Sequence, residues 1–281
     1  MILRDYLGLQ PTDDPAQWTL ELTPRVLTPA GAMHGGAALA AAVEALEATT
    51  GRPLVWATAH YLTHAGPTGT LTVGVSIEVE GNQTTQARAR LTCGDAEILL
   101  AVASLGSRDF PGAGRWIDPP DVARPHDAMT RPPSPPGVES LLDHYEIRIA
   151  TGRARDELDG SPGPGRTAIW CRMAGGPRRV GAGDVALVGD LLMLGLSDAL
   201  GMPCTANSLD HTIRVVERTS TDWILVDITI DAVSDGYGHA SARLWSDAGV
   251  LIGTATQTLV LRSAGEHGQS SRSTRRIVGG A

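Results

Sequence analysis

The chain contains two similar segments, and this internal duplication is the feature that most constrains its fold. The segment "ARARLTCGDAEILLAVASL" at 87–105 resembles "ASARLWSDAGVLIGTATQTL" at 240–259. Arg90 aligns with Arg243 and Gly36 with Gly189, a separation of 153 positions in both pairs (90 to 243, 36 to 189). We therefore expect two copies of one folding unit, each with the same order of helices and strands.

Each copy is predicted to contain one long helix followed by several strands. After a strand at 17–26, an Ala-rich run from Pro29 predicts a helix that ends at Gly51. A second helix is predicted within 181–202, with Asp184 as its N-cap and Gly201 as its end. This helix is apolar on nearly all sides, so it must be buried on nearly all sides.

The strands that follow each helix alternate apolar and polar residues. In "LTVGVSIEVEG", for example, Val73, Val75, Ile77 and Val79 fall on one side. A curved antiparallel sheet wrapped around a central helix satisfies both patterns. The predicted architecture is an α+β protein in which this arrangement occurs twice in tandem.

The composition of the chain suggests where the two units meet. We assign 1–108 to the first unit and 141–263 to the second, with a linker at 109–140 that is rich in Pro and Gly. The polar tail at 264–281 is expected to be disordered.

The charge and residue usage exclude several classes of function. All 23 basic residues are Arg, so neither a P-loop lysine nor a Schiff-base lysine exists. The net charge of −8 argues against nucleic acid as a partner. The three cysteines are far apart and the eight histidines lack a ligand spacing, so no metal is expected. Without a signal peptide or a long apolar run, the chain is expected to be cytoplasmic and not inserted in a membrane.

Several short motifs together resemble one family. They are "HGG" (34–36), "HYL" with a following Pro67, "EGNQTTQARARL" (80–91), Asp190, "SLDH" (208–211), "WIL" (223–225) and "TATQTLVLR" (254–262). In order and spacing they resemble acyl-CoA thioesterase II, the TesB-like family. The resemblance covers about residues 16–262 and implies a double hotdog fold.

The resemblance also implies an activity and a catalytic set. In that family an aspartate, a hydroxyl residue and a glutamine activate the hydrolytic water, and they match Asp190, Ser208 and Gln257. The implied reaction is hydrolysis of an acyl-CoA or acyl-carrier thioester, with no cofactor and with association of chains into a homo-oligomer. One departure is that Gln257 is followed by Thr258 and Leu259, where the family often has Glu and Gly.

The residue types suit this chemistry. A thioester is already activated, so a positioned water suffices and a carboxylate among Val and Leu side chains is a reasonable base. The carbonyl oxygen gains negative charge and needs N–H donors, which a glycine-led helix N-terminus supplies. We assign substrate binding to His34, Gly35, Gly36 and His60. Asp210 and His211 are expected to be structural, because neighbours on a strand alternate between its faces.

Alternative interpretations remain at this point. Asp190 is either a catalytic group or a buried polar residue bonded to backbone. The aligned positions of the first copy, Ala37 and Leu105, are aliphatic, which favours catalysis in the second copy and a first copy that provides only the wall of a tunnel. A hotdog hydratase or dehydratase would need a helix histidine, and 181–201 has none. A non-catalytic acyl-thioester binder would not need the polar set.

Overall fold

The structure is a computed structural model, and it describes residues 3–132, 134, 137–173 and 175–262. The predicted disordered tail at 264–281 lies outside the described residues. Within the described part of the chain, no helix is long and apolar enough to cross a membrane.

The first half of the chain contains two helices and six strands. The helices are α1 (Leu3–Leu7) and α2 (Gly35–Thr50). The strands are β1 (Gln10–Pro11), β2 (Gln17–Glu21), β3 (Leu54–Tyr61), β4 (Thr70–Glu80), β5 (Thr84–Cys93) and β6 (Ala96–Gly106).

The second half repeats this order with additions. The helices are α3 (Ala182–Gly189) and α4 (Met193–Leu200). The strands are β7 (Met129–Thr130), β8 (Tyr145–Thr151), β9 (Arg166–Met173), β10 (Arg178–Arg179), β11 (Thr205–Ser208), β12 (Asp210–Val215), β13 (Ser220–Thr221), β14 (Ile224–Ser234), β15 (Tyr237–Ser246) and β16 (Leu251–Arg262).

The two predicted helix ends are confirmed. Gly51 and Gly201 follow α2 and α4 with φ values of 66° and 69°, in the left-handed region that glycine adopts without strain. The predicted N-cap is wrong, because Gly181 caps α3 and Asp184 is its third residue. The Asp184 side chain accepts a hydrogen bond from the Gly181 N–H at 2.8 Å and so still satisfies the helix start.

The second helix is interrupted, which the sequence did not predict. A 3-10 turn, Asp190–Leu192, separates α3 from α4. The turn tightens the backbone at Asp190, where the side chain is only 6% exposed.

The sheets of the two halves join into one antiparallel sheet. Its order is β1-β2-β4-β5-β6-β3-β12-β16-β15-β14-β9-β8-β7, and β11 also pairs with β16. The halves meet where β3 pairs with β12, and there Thr58 lies opposite Thr212, with their hydroxyl groups hydrogen bonded. The helices α2 and α3 pack against each other, and buried hydrophobic residues from both halves form one large core. A second, smaller cluster, which includes Trp170, Trp223 and Trp245, lies in the second half.

The strand bounds support the duplication. Strands β4 and β14 have the same bounds after a shift of 154 positions (70 to 224, 80 to 234), and β5 and β15 after a shift of 153 (84 to 237, 93 to 246). Thr58 and Thr212 are also 154 positions apart (58 to 212) and are therefore equivalent. The two copies are thus related by an approximate two-fold axis between these threonines.

The predicted linker packs against the second copy. Residues 107–128 contain no helix or strand in the described chain, but the Trp170 Nε1–H donates a hydrogen bond to Ala123 O at 2.8 Å. Arg115 lies over the ring of Trp245, 5.5 Å from its centroid. The segment therefore covers the outer face of the sheet in the second copy and is more than a flexible spacer.

One predicted strand pattern holds over half of its length. Val73 and Val75 of β4 are buried, whereas Ile77 and Val79 are 42% and 59% exposed. The pairing register with β5 shifts between Ile77 and Val79, and this bulge marks where the alternation no longer faces a helix.

Candidate active site

Asp190 lies at the break in the second helix and faces the N-terminus of α2 from the first copy. The Gly36 N–H donates a hydrogen bond to its Oδ2 at 2.5 Å. The helices approach so closely there that a Cβ added to Gly36 would lie 2.6 Å from the Asp190 Cβ. The expectation that the first copy provides only a tunnel wall is therefore wrong, because its helix terminus contacts the carboxylate directly.

Ser208 reaches the other oxygen of the same carboxylate. Its hydroxyl donates a long hydrogen bond of 3.4 Å to Asp190 Oδ1. Ser208 ends β11, and the chain leaves the regular strand at Leu209 before β12 begins at Asp210. This interruption allows the Ser208 side chain to turn towards the helix.

Gln257 completes the set. It lies on β16, where residues of one face pack against the helices, and it is 3% exposed. Its Nε2–H donates a hydrogen bond to Asp190 Oδ1, while its Oε1 has no hydrogen-bond partner among the described residues. The amide thus holds the carboxylate with one end and offers a buried acceptor with the other.

The predicted substrate-binding residues at the start of α2 lie around the same carboxylate. His34 is the N-cap residue of α2, and its Nδ1 lies 3.1 Å from Asp190 Oδ2 without hydrogen-bond geometry. The Gly36 N–H is already used by Asp190. In the described part of the chain, the Gly35 N–H has no acceptor, so it remains able to bind a substrate oxygen.

His60 does not belong to this group, which corrects the prediction. Its side chain is exposed, and it alternates along β3 with Tyr61, which faces the helices. A Cβ built on Gly35 would lie 3.2 Å from the Tyr61 hydroxyl oxygen and 3.1 Å from Asp190 Oδ2. The residue that sequence reasoning missed is therefore the immediate neighbour of the one that it chose.

His211, which was expected to be structural, lies in β12. It is fully buried, and its Nε2 would lie 3.3 Å from a Cβ on Gly189, the residue before Asp190. Neither ring nitrogen has a hydrogen-bond partner among the described residues. Burial lowers the pKa of His211, against the opposing effect of Asp190 and Asp210, so the imidazole is neutral near pH 7. Asp210 has the predicted structural role and accepts a hydrogen bond from the Thr258 N–H at 2.9 Å.

The first copy has a related carboxylate, which the sequence alignment did not reveal. Gly36 and Gly183 are each the second residue of a helix. A Cβ on Gly183 would lie 2.5 Å from Glu44 Oε1, just as one on Gly36 would contact Asp190. Glu44, not Ala37, is therefore the counterpart of Asp190, and the predicted alignment of Gly36 with Gly189 is wrong, because Gly183 is the counterpart of Gly36.

The partners of Asp190 have no polar counterparts in the first copy. The shift of 154 positions relates Ser208 to Leu54 (54 to 208). Gln257 pairs with Ala240, whose equivalent Ala87 pairs with Ala103. The counterpart of Gln257 is thus Ala103 and not Leu105. Glu44 consequently lacks the hydroxyl and the amide, and only the second copy has the complete set.

Leu187, Val188 and Leu191, which lie on the helix turns on either side of Asp190, face Leu141 and Ile147 across a narrow apolar gap. The gap is too small to hold a water molecule. Asp190 thus lies between helix turns whose side chains are aliphatic.

Comparisons with known proteins agree on the family. The sequence profile of the acyl-CoA thioesterase N-terminal domain matches residues 23–106, and that of the C-terminal domain matches residues 119–261. No curated protein matches the chain.

Solved structures share the fold over most of the chain. A putative thioesterase from Novosphingobium aromaticivorans is 27% identical, with a TM-score of 0.81 over 91% of this chain and 98% of the other. A hotdog-fold protein of unknown function from Alicyclobacillus acidocaldarius is 18% identical, with a TM-score of 0.81 over 94% and 99%.

A TesB protein from Mycobacterium avium subsp. paratuberculosis is 19% identical, with a TM-score of 0.76 over 92% of this chain and 97% of the other. These matches confirm the predicted pair of hotdog folds. Because the two family profiles together cover both copies, the chain belongs to the acyl-CoA thioesterase family and is a thioester hydrolase.

Proposed function

We propose that the chain hydrolyses acyl-CoA thioesters with a water that Asp190, Ser208 and Gln257 hold. The observation that carries this proposal is that hydrogen bonds from Ser208 and Gln257 meet on one oxygen of the buried Asp190 carboxylate. Groups from two strands, β11 and β16, converge on that oxygen. Such convergence is what a positioned water requires.

In this proposal Asp190 is the general base. It takes a proton from the water as the water attacks the carbonyl carbon of the thioester. Gln257 Oε1, the buried acceptor without a partner in the described chain, orients the water through its second hydrogen. Ser208 bonds the carboxylate and keeps it turned towards the water.

The negative charge that forms on the carbonyl oxygen lies at the N-terminus of α2. The Gly35 N–H and the positive end of the helix dipole stabilise it there. When the C–S bond breaks, the electron pair leaves with the thiolate, and the proton held by Asp190 passes to the sulfur. The products are a carboxylic acid and a thiol, and the carboxylate is regenerated without a cofactor.

The acyl chain is proposed to insert between Leu187, Val188 and Leu191 and the aliphatic side chains opposite them. Because the gap there is closed in the free protein, these side chains must move apart when the acyl chain binds. Burial of each methylene there contributes about 0.8 kcal/mol to binding. The carrier of the acyl group is proposed to be coenzyme A, with an acyl-carrier protein as the alternative.

The test is an assay of thiol release from acyl-CoAs of several chain lengths, using the wild type and Asp190→Asn. We expect the variant to lose at least about 10³-fold in kcat, because the amide cannot accept the proton. Asp13→Asn, at an exposed position, is the matched control and should keep full activity. Normal thiol release by Asp190→Asn would refute the assignment.

A further inference from the structure

We propose that Tyr61 is a further catalytic residue, whose hydroxyl donates a hydrogen bond to the thioester carbonyl oxygen beside the Gly35 N–H. This inference rests on the hydrolysis proposed above and adds to it the second donor for the developing negative charge. Tyr61 lies on the first copy, so the reaction would use a side chain from each half of the duplication.

The need for a second donor follows from the contacts of α2. The Gly36 N–H, which would otherwise join Gly35 in binding an oxyanion, donates to Asp190 Oδ2. A single amide is a weak site for a full negative charge, and oxyanion sites in acyl-transfer enzymes present preorganised donors together. The hydroxyl of Tyr61 is the neighbouring donor group on the same side of the helix terminus.

The position of Tyr61 is fixed by backbone contacts between the two copies. It is the last residue of β3, and its N–H donates a hydrogen bond to Leu209 O at 3.0 Å. The hydroxyl oxygen and Asp190 Oδ2 lie 3.2 Å and 3.1 Å from the same point, the Cβ position built on Gly35. The proposed donor and the proposed base therefore converge on one location in front of the helix.

The hydroxyl has no structural use that explains its burial. Its oxygen is shielded from solvent and has no hydrogen-bond partner among the described residues, although the ring as a whole is half-buried. A buried donor without a partner destabilises the folded state, so such groups are rare and concentrate at functional sites. The substrate oxygen would supply the missing partner.

The electrostatic surroundings keep the hydroxyl in its donating form. Burial raises the pKa of Tyr61 well above its ordinary value, and the charges of Asp190 and Asp210 act in the same direction. The group thus stays protonated at any pH at which the protein works. It stabilises charge by a hydrogen bond and keeps its proton throughout the reaction.

The experiment compares Tyr61→Phe with the wild type in the thiol-release assay and in thermal unfolding. We expect kcat to fall about 10²-fold with KM within about two-fold, because the bond strengthens only as charge develops. The melting temperature should be unchanged or higher, because the variant loses a buried hydroxyl that has no partner in the free protein. Tyr237→Phe removes a hydroxyl from an exposed tyrosine and should change neither quantity.

Two outcomes would overturn the inference. One is an unchanged kcat in Tyr61→Phe while Asp190→Asn is inactive, which leaves the proposed hydrolysis standing without this donor. The other is a loss of kcat together with a lower melting temperature, which indicates a structural role. A wild-type protein that releases no thiol from any acyl-CoA would instead reject the proposed function itself.

Discussion

Asp190 of the second copy accepts a hydrogen bond from the N–H of Gly36 in the first copy, at 2.5 Å. This contact joins the break in one central helix to the start of the other. The positive end of the α2 dipole therefore faces the Asp190 side chain. The candidate site is a product of the interface between the copies, and neither copy contains it alone.

The first prediction concerns the close approach that this contact requires. A Cβ on Gly36 would lie 2.6 Å from the Asp190 Cβ and 2.7 Å from Leu187 O, and the backbone atom cannot be displaced easily. Gly36→Ala should force the two helices apart, lower the free energy of unfolding by about 1–3 kcal/mol and lengthen the bond to Asp190. We expect a lower kcat in the thiol-release assay and a lower melting temperature in thermal unfolding.

The control for this prediction is Gly74→Ala. A Cβ on Gly74 meets no atom of the described chain within 4 Å, so the same change of residue introduces no clash there. Equal effects of the two substitutions on activity would contradict the proposed role of the helix contact.

The second prediction ranks the two donors to Asp190 Oδ1. Gln257 donates to this oxygen, and its Oε1, which has no partner among the described residues, can accept from the water, whereas Ser208 donates at 3.4 Å. Gln257→Ala should therefore lower kcat about 10²-fold, and Ser208→Ala about ten-fold. Thiol-release kinetics under saturating substrate give both values. The reverse order would mean that the hydroxyl, and not the amide, positions the water.

Much of this site was predictable from residues that leave a local signal. Gly51 and Gly201 mark helix ends because their φ values are positive, and the motif resemblance brought Asp190, Ser208 and Gln257 together, as the structure does. The catalytic role of these three residues stays a prediction.

What the sequence did not reveal depends on direction and register. The sequence pointed to His60 because a strand signal does not say which face meets the helices, whereas it is Tyr61 that lies beside Gly35 and Asp190. The alignment of Ala37 with Asp190 was wrong because it extended the strand alignment into the helices. The helices contain no turn residues that would fix their alignment independently. Only the packing of Gly183 on Glu44 reveals the true counterpart.

The third prediction uses His211. Burial lowers its pKa in the folded state below the ordinary value of 6.5, with His34 acting in the same direction. The unfolded chain therefore binds the proton first as the pH falls, and the contribution of His211 to folding stability decreases below about pH 6.5. His211→Leu, which has no titrating group, should lose less stability between pH 7 and pH 5 than the wild type does.

Thermal unfolding at both pH values measures this difference. The exposed His239 provides the control, since the melting temperature of His239→Leu should change between pH 7 and pH 5 as much as that of the wild type does. If the melting temperatures of His211→Leu and the wild type change equally between pH 7 and pH 5, the buried imidazole is not a source of acid sensitivity.

The fourth prediction concerns Glu44, the counterpart of Asp190 that lacks the hydroxyl and amide partners. Its pKa is raised from 4.5 to about 7, first by burial and then by the charges of Asp184 and Glu47, against the opposing effect of Arg4 and Arg178. The folded state thus holds a proton that the unfolded chain releases between pH 4.5 and pH 7. The contribution of Glu44 to folding stability is fully present below this window and is lost as the pH rises through it.

Glu44→Gln removes the titration while keeping the shape of the side chain. One pKa unit corresponds to about 1.4 kcal/mol, so at pH 8 the variant should be more stable than the wild type by at most about 3 kcal/mol, and at pH 4.5 nearly equal to it. Denaturant unfolding at the two pH values tests this, with the exposed Glu80→Gln as control. If Glu44→Gln gains stability at pH 8 and releases thiol at the wild-type rate, Glu44 is dispensable for the reaction. If thiol release falls instead, Glu44 has a part in the reaction, although it lacks the partners that Asp190 has.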